Sequence, residues 1–448
     1  MTSGILVAGA GHGGLVAAMH LARTGHDVLV VEQREREGLG WDWQDHVPLN
    51  AFERAGLRPP SPDTFFHAAN LTFTSPDLHT TMVTNLAENE REIVLERKCI
   101  IDLLVHMAER AGASFIFGAQ IDGPLIEDDI VVGVSCEDGR DIHASMVIDA
   151  AGLHSPVRQH LPRGYGIQHH VTGEEVFHAY RAYHRATGDP GPPTFTTHFG
   201  FNRLRGISWY QVHEDRSFVD ILVGKMRPFA PGELQATLEQ LKQVHPAIGD
   251  RVLRGGRVEE IPVRRQLDRF TGDNYAAVGD SACMAKPING SGVEHAMIAG
   301  NILAATIDEA SRGEDPDPVK YSQAALWSYQ RDYVLNVGAS MAGVEVMKDY
   351  LATAPWDHLN FLFEKHILTA RDVEAATRGG EINVSPVDML RRMLRGWSKP
   401  RVLLALKRAV SGSKHATRVS KSIPDTWDQG AFNAWCHRVQ AQYKKVFR

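Results

Sequence analysis

The chain has 448 residues, more than one ordinary hydrophobic core accommodates, so at least two domains are expected. Hydrophobic residues make up 43% and charged residues 23%, the balance of a globular protein and not of a disordered or fibrous one. A net charge of −6 provides no overall positive field to gather phosphates, which argues against nucleic-acid binding. Cys99, Cys136, Cys283 and Cys436 are scattered with no Cys-x-x-Cys pair, so they imply neither a disulfide framework nor a zinc site and suit a reducing compartment. The uncharged run Ile5 to Ala22 is broken by Gly9, Gly11, His12, Gly13, Gly14 and His20, and reads as neither a membrane span nor a signal peptide. A cytoplasmic protein is expected.

Taken in order, the opening segment reads strand, glycine loop, helix, strand. "GILVAGA" is a buried apolar run, "GGLVAAMHLARTG" has helical spacing with a terminal glycine, and "HDVLVVEQ" is a second buried strand. Together they predict a βαβ unit with a parallel sheet. In the following "GWDWQDHVPLNAF", Trp41, Trp43 and His46 either line a pocket or form an aromatic loop with no substrate role. "ERKCIIDLLVHMAERAGASFIFGAQI" predicts a helix feeding a strand. "IVVGVSCEDGRDIHASMVIDAAG" predicts a hairpin about Asp138 and Gly139 that ends in a buried strand.

From about Glu175 the pattern becomes that of a mostly antiparallel sheet: "EVFHAYRAYHR", "PTFTTHFGF", "GISWYQV" and "SFVDILVGKM". "PGELQATLEQLKQVHP" is a helix bracketed by prolines, and "NYAAVGD" returns to a buried strand. Beyond about Pro316 the helical spacing is nearly continuous, broken at "TAPW", "RGGEINVSP", "SKP" and "SIPDTW". The 22 histidines show no spacing that sets three on one face with a carboxylate, so no metal site is expected.

Gly9-Ala10-Gly11-His12-Gly13-Gly14 is a GxGxxG fingerprint that follows a strand and opens a helix. Glu32 ends the next strand, where an acid binding a ribose hydroxyl is expected. Gly9 makes the tight turn, Gly11 lets backbone N–H groups approach a pyrophosphate, and Gly14 lets helix and strand pack closely. The helix N-terminus adds partial positive charge. A second loop of similar character lies far downstream, in "GDSACMAKPINGSGVEHAMIAG".

Three elements give a specific resemblance: the fingerprint with Glu32, "MVIDAAGLHSPVR", and "VGDSACMAKPINGSGVEHAMIAG". Together they resemble the two-dinucleotide-fold flavoproteins that include aromatic hydroxylases, geranylgeranyl reductases, lycopene cyclases and flavin-dependent halogenases. The resemblance covers residues 1 to about 310 and the carboxy-terminal third only loosely. It implies one extended FAD, with Gly9, Gly11, Gly13, Gly14, Glu32, Gln33 and Arg34 at the pyrophosphate and adenosine end. At the ribityl and flavin end it implies Arg97, Gly279, Asp280, Pro287, Asn289, Gly290, Ser291 and Gly292. The implied fold class is α/β: a Rossmann-like FAD-binding domain (1–165 and 255–315), an inserted mostly antiparallel β-sheet substrate domain (166–254), and a helical C-terminal extension (316–448).

The second loop is most similar to that of geranylgeranyl reductases. That similarity implies an FAD-dependent oxidoreductase reducing a carbon–carbon double bond of an apolar or unsaturated small molecule. A flavin monooxygenase and a flavin-holding cyclase or isomerase are the alternatives. The hydroxylase Asp-Gly motif aligns with Ala151-Gly152, and Cys283 stands where hydroxylases carry a His, so two hydroxylase features are missing. "ISWYQV" keeps only Trp209, with Tyr210, of the aromatic strand of the reductases. Cys283, Tyr210 and Trp209 are the candidate catalytic groups, and nothing in the sequence selects among them. Electrons are expected from NAD(P)H or a partner redox protein. From Glu381 to Arg448 there are 14 Lys/Arg against 4 Asp/Glu, which leaves −16 for the rest. Such a tail suits a peripheral contact with an anionic membrane, or docking on the protein's own acidic body.

Overall fold

Strand Thr2–Ala8 is apolar on both faces because the sheet it centres is covered on both. In the computed structural model, which describes residues 2–40, 42–313, 319–378 and 385–446, it pairs in parallel with Val28–Val31 on one side and Asp141–Asp149 on the other. Ser114–Ile116 and Tyr275–Ala277 extend the parallel array, and the hairpin strands Ile121–Glu127 and Ile130–Cys136 join it antiparallel. Register brings Ala8 level with both Val31 and Asp149, so the glycine loop, Glu32 and the loop after Asp149 all emerge at one end of the sheet. That end is where a doubly wound sheet places its ligand.

A second sheet of seven strands runs Ile248–Pro262, Val176–Ala186, Phe218–Lys225, Ile207–Val212, Thr194–Phe199, Leu71–Thr74, Thr81–Val83. Its four predicted strands are present and antiparallel to one another. The chain division differs from the one read from sequence. Leu71–Thr74 and Thr81–Val83, within the segment assigned to the nucleotide domain, form one edge, the former parallel to Thr194–Phe199. Ile248–Pro262 runs unbroken across residue 255 and forms the other edge. The "GWDWQDHVPLNAF" segment is likewise not all loop: Gln44–Val47 is a strand paired with Ile93–Glu96.

The C-terminal region is helical: Trp327–Tyr333, a π-helical turn at Val334–Gly338, Ala339–Thr353, Trp356–Glu364, Ala370–Thr377, Pro386–Gly396, Pro400–Lys421 and Gln429–Val446. It covers both sheets. Trp327, Tyr329, Tyr333, Phe432 and Trp435 join the core of the first, and Leu359, Leu362 and Phe363 pack with Phe73 and Phe199 of the second.

The two loops after Asp149 and Ala277 are tied by one carboxylate. Asp149, fully buried, accepts hydrogen bonds from Ala151 N (3.1 Å), Ser281 Oγ (2.9 Å), Ser155 Oγ (2.5 Å) and Tyr275 OH (2.8 Å). Burial next to Asp149 pushes the Tyr275 phenol well up, so it stays a donor. Arg158, also fully buried, donates Nη1 to Ser281 O (2.6 Å) and Nη2 to Leu153 O. Replacing Asp149 by Ala would leave several buried donors unpaired, each costing about 1–3 kcal/mol. The expected loss in Asp149→Ala is therefore at least about 3 kcal/mol, against about 1 kcal/mol for Tyr275→Phe; urea unfolding midpoints of the two variants measure the difference.

Candidate active site

Two cavities meet at the loop end of the first sheet. The outer, about 830 Å³, is a groove over the glycine loop. The inner, about 250 Å³, lies between that loop and the second sheet. Gly11, His12, Arg97, Ala150, Gly152 and Asp280 border both, so the two form one elongated space.

Gly9 (φ +92°) and Gly11 line the groove, where the chain turns out of the strand. A Cβ on Gly13 would lie 2.5 Å from Val278 Cγ2 and 2.7 Å from Ala296 O. That position lets the helix His12–Arg23 approach the helix Val293–Arg312 closely, and Gly14 packs against Ala150 and Val7. Glu32 holds the loop from below: Oε2 accepts from Ala10 N (2.7 Å) and Oε1 from Arg34 N (2.9 Å). Glu32, Gln33 and Arg34 all face the groove.

Arg97 is not a surface residue. Its Nε and Nη2 hold Asp45 Oδ2 and Oδ1 at 2.7 and 2.5 Å, and its guanidinium carbon is 5.4 Å from the Trp43 ring centre. Burial opposes ionisation of Asp45, but Arg97, with His12 and Arg181, holds the carboxyl below its ordinary value. Asp280 sits at the junction of the cavities. Burial pushes its carboxyl up to about 6 although Arg97 and Arg158 pull the other way, and no donor among the described residues reaches it. His12, at the same junction, is driven down to about 4 by burial, and its Nε2 is buried without a partner. An acceptor and an orphaned ring nitrogen between a glycine loop and a dry chamber fit a ligand that brings hydroxyls and an anionic linker.

The second loop closes on itself through Lys286 N to Ser291 O (2.8 Å), Gly290 N to Lys286 O (2.9 Å) and Ser291 N to Asn289 Oδ1 (3.1 Å). Gly279, Asn289, Gly290, Ser291 and Gly292 border the inner cavity, at the N-terminus of Val293–Arg312. Pro287 faces a small adjoining space of about 50 Å³ beside Leu351, Trp356 and Leu359. Lys286, a residue the sequence reading passed over, is 1% exposed and anchors the loop through Glu294 (2.9 Å), which Arg54 also holds (2.8 Å).

The three catalytic candidates part company. Strand alternation in Ile207–Val212 turns Ile207 and Trp209 into the inner cavity and Tyr210 to the opposite face. There Tyr210 stacks on His245 (ring centres 4.0 Å apart) and its hydroxyl points at Pro190 O, 3.5 Å away. Cys283 is fully buried beneath the second loop, its thiol pushed up to about 11 by burial, and it borders neither cavity. Trp43 and His46 do line the inner cavity; Trp41 lies outside the described residues.

An ion pair at the wall of the inner cavity, with Arg181 on the lining, escaped the sequence reading. Arg181 Nε and Nη2 donate to Asp220 Oδ1 and Oδ2 (3.0 and 2.5 Å), and Nη1 to Gln44 O (2.7 Å). Its guanidinium carbon lies 5.4, 5.3 and 5.1 Å from the rings of Trp43, Tyr183 and Trp209. The signal was available: a charge of each sign in two otherwise apolar strands predicts a buried pair.

Residues 2–318 match the family model described as the FAD binding domain. The chain belongs to that family. It is an FAD-dependent oxidoreductase. It is similar to the digeranylgeranylglycerophospholipid reductase of Sulfolobus acidocaldarius, 23% identical over 94% of this chain and 93% of the relative. It is also similar to the enzyme of that name from Haloferax volcanii, at 24% identity over 87% and 94%. Among solved structures, a geranylgeranyl bacteriochlorophyll reductase-like protein from Thermoplasma acidophilum superimposes with a TM-score of 0.71 at 20% identity, covering 91% of this chain and 99% of that one. The myxobacterial chondrochloren halogenase does so with 0.62 at 17%, covering 98% and 97%. These structural likenesses establish the fold.

Arg97→Met would strand the Asp45 carboxylate. The side chains are 18% and 10% exposed, so the expected loss is about 2–3 kcal/mol, at the low end for a broken buried pair. Asp45 is more acidic folded than unfolded, so this contribution is present above pH of about 4 and is lost as pH falls through the lower folded value. Urea unfolding of both proteins at pH 7 and pH 3 should show the difference at pH 7 shrinking at pH 3.

Proposed function

We propose that the protein reduces a carbon–carbon double bond in an apolar, lipid-like small molecule. The carrying observation is the inner cavity: Phe73, Phe177, Phe195, Ile207, Trp209 and Leu222 wall a space that opens directly onto the FAD groove. The names of the curated relatives support the same substrate chemistry.

Gly9 to Gly14 with Glu32, Gln33 and Arg34 would hold the pyrophosphate and adenosine of FAD. Asp280 would accept from a ribityl hydroxyl, and Gly290 to Gly292 would present backbone N–H groups to the flavin ring. FAD held there would supply the hydride once reduced, with electrons expected from NAD(P)H or a partner redox protein. The chain supplies the rest. Its aromatic wall would exclude water and align the alkene, and Arg181, paired with Asp220, keeps Trp43 and Trp209 in place on that wall.

A proton must reach the second alkene carbon. Tyr210 and Cys283 do not reach the cavity, whereas His46 lies on its wall. The His46 ring is 4.8 Å from that of Phe195, and its Nε2 is 3.3 Å from Gln211 Oε1. Burial favours the neutral ring, so an imidazolium formed there would give up its proton readily. We assign His46 as the proton donor.

Photoreduced holoenzyme mixed anaerobically with a polyprenyl lipid should be reoxidised, with a product heavier by two hydrogens. Reoxidation only after oxygen is admitted, with a product heavier by one oxygen, establishes the monooxygenase instead. His46→Phe should lower turnover by roughly 10²–10⁴-fold while the flavin absorbance of the purified protein is unchanged.

Asp280 gives a pH signature. A hydroxyl donor favours its ionised form, so FAD binding lowers the carboxyl from its free value of about 6. Affinity should rise with pH below about 6 and level off above it, measured by flavin fluorescence titration. Asp280→Asn should flatten that dependence, and Asp280→Ala should weaken binding by about ten- to hundredfold.

A further inference from the structure

The basic C-terminal stretch divides into two parts that behave differently. Helix Pro400–Lys421, which contains "RVLLALKRAV", buries Val402, Ala409 and Ala416 on the body of the protein. Helix Pro386–Gly396 does not. Val387, Met389, Leu390, Met393 and Leu394 are 53–65% exposed, and Trp397, just beyond, is 78% exposed. At 100° per residue these six side chains fall on one arc, and Arg391, Arg392 and Arg395 fall on the other. The helix is thus inverted for a globular protein. Arg392 and Gly396 face the body, and the apolar arc faces solvent.

Arg392 is the fastening. Its Nη1 donates to Asp372 Oδ2 (2.6 Å) and to Ile367 O (3.0 Å). Asp372 lies in helix Ala370–Thr377, and the next residue, Val373, lines the inner cavity. The exposed arc is therefore one ion pair removed from the substrate chamber.

We propose that helix Pro386–Gly396 and Trp397 dock the enzyme on an anionic lipid bilayer, so that an apolar substrate passes from the membrane to the cavity beside Val373. The arc has the size and the flanking arginines of an interfacial helix, with an aromatic ring at its end. Charge decides between possible occupants. Ser385 to Arg401 carries five Lys/Arg and one Asp/Glu, so a second copy seated on the same helix would face like charge, whereas acidic headgroups complement it. No described helix is long and apolar enough to cross a membrane, so the contact is peripheral. Docking rests on the helix alone; the passage of substrate rests also on the proposed reaction.

The test is co-sedimentation of the full-length holoenzyme with phosphatidylcholine vesicles, with and without phosphatidylserine, over a range of salt. Binding is expected on the acidic vesicles and should weaken as salt rises. The variant Leu390→Glu/Leu394→Glu should lose binding by at least tenfold, and Arg391→Gln/Arg395→Gln by roughly thirtyfold. Both should keep bound FAD and unchanged turnover of a short, water-soluble alkene, which separates docking from folding and from the reaction itself. Absence of binding to acidic vesicles at low salt, or equal binding by the glutamate variant, overturns the proposal. So does a dimer in sedimentation velocity that the glutamate variant abolishes, which would make the arc a contact between copies.

Discussion

The Asp149 carboxylate is the constraint on which the site depends. It is a fully buried acid satisfied by one backbone N–H and three hydroxyls. Two of those donors, Tyr275 and Ser281, come from far along the chain, so the full set forms only when strand Asp141–Asp149, the Ser155 turn and the Tyr275 strand are all in place. Everything that faces the cofactor groove hangs from that junction. Ala150 and Gly152 border it directly, and Asp280 is the residue before Ser281. A polar group held this tightly in an apolar core specifies a single arrangement of the loops as much as it stabilises them.

Much of this architecture is legible in the sequence because local rules and tertiary structure agree there. The glycine fingerprint, the hairpin about Asp138, the four strands after Glu175 and the small-residue helix after Gly292 all satisfy their own periodicity. The parts that are not legible are those whose partners lie far along the chain. Leu71–Thr74 and Thr81–Val83 make only a short hairpin with each other, so the pairing of Leu71–Thr74 with Thr194–Phe199 is what gives them a sheet. The boundary near residue 255 fails for a related reason: Gly255-Gly256 reads as a break, but pairing with Val176–Ala186 absorbs both glycines as a bulge in one long edge strand.

The candidate site divides along similar lines. Backbone-driven features, the two loops and Asp280, are visible because glycine and a lone acid stand out in an apolar run. Side-chain features turn on which face of a strand a residue occupies. Trp209 and Tyr210 are adjacent and chemically alike, yet one lines the chamber and the other stacks on His245 beyond the sheet. Arg97 is expected at the flavin end from the resemblance and Arg181 is not singled out, because their carboxylates, Asp45 and Asp220, are brought to them from other strands. The basic tail shows the converse: its two amphipathic helices look equivalent in sequence, and only tertiary packing buries one and leaves the other bare.

Both outer strands of the seven-stranded sheet are continuous with the nucleotide-binding half, Thr81–Val83 through Ile93–Glu96 and Ile248–Pro262 through Tyr275–Ala277. A sheet tethered at both margins by the chain itself has no single hinge, so a jaw-like opening would have to move two connections at once. If the halves stay together, the chamber exchanges its contents through its opening onto the groove. A long chain would have to be threaded end-on, and its reach into the chamber would set which bond arrives over the cofactor.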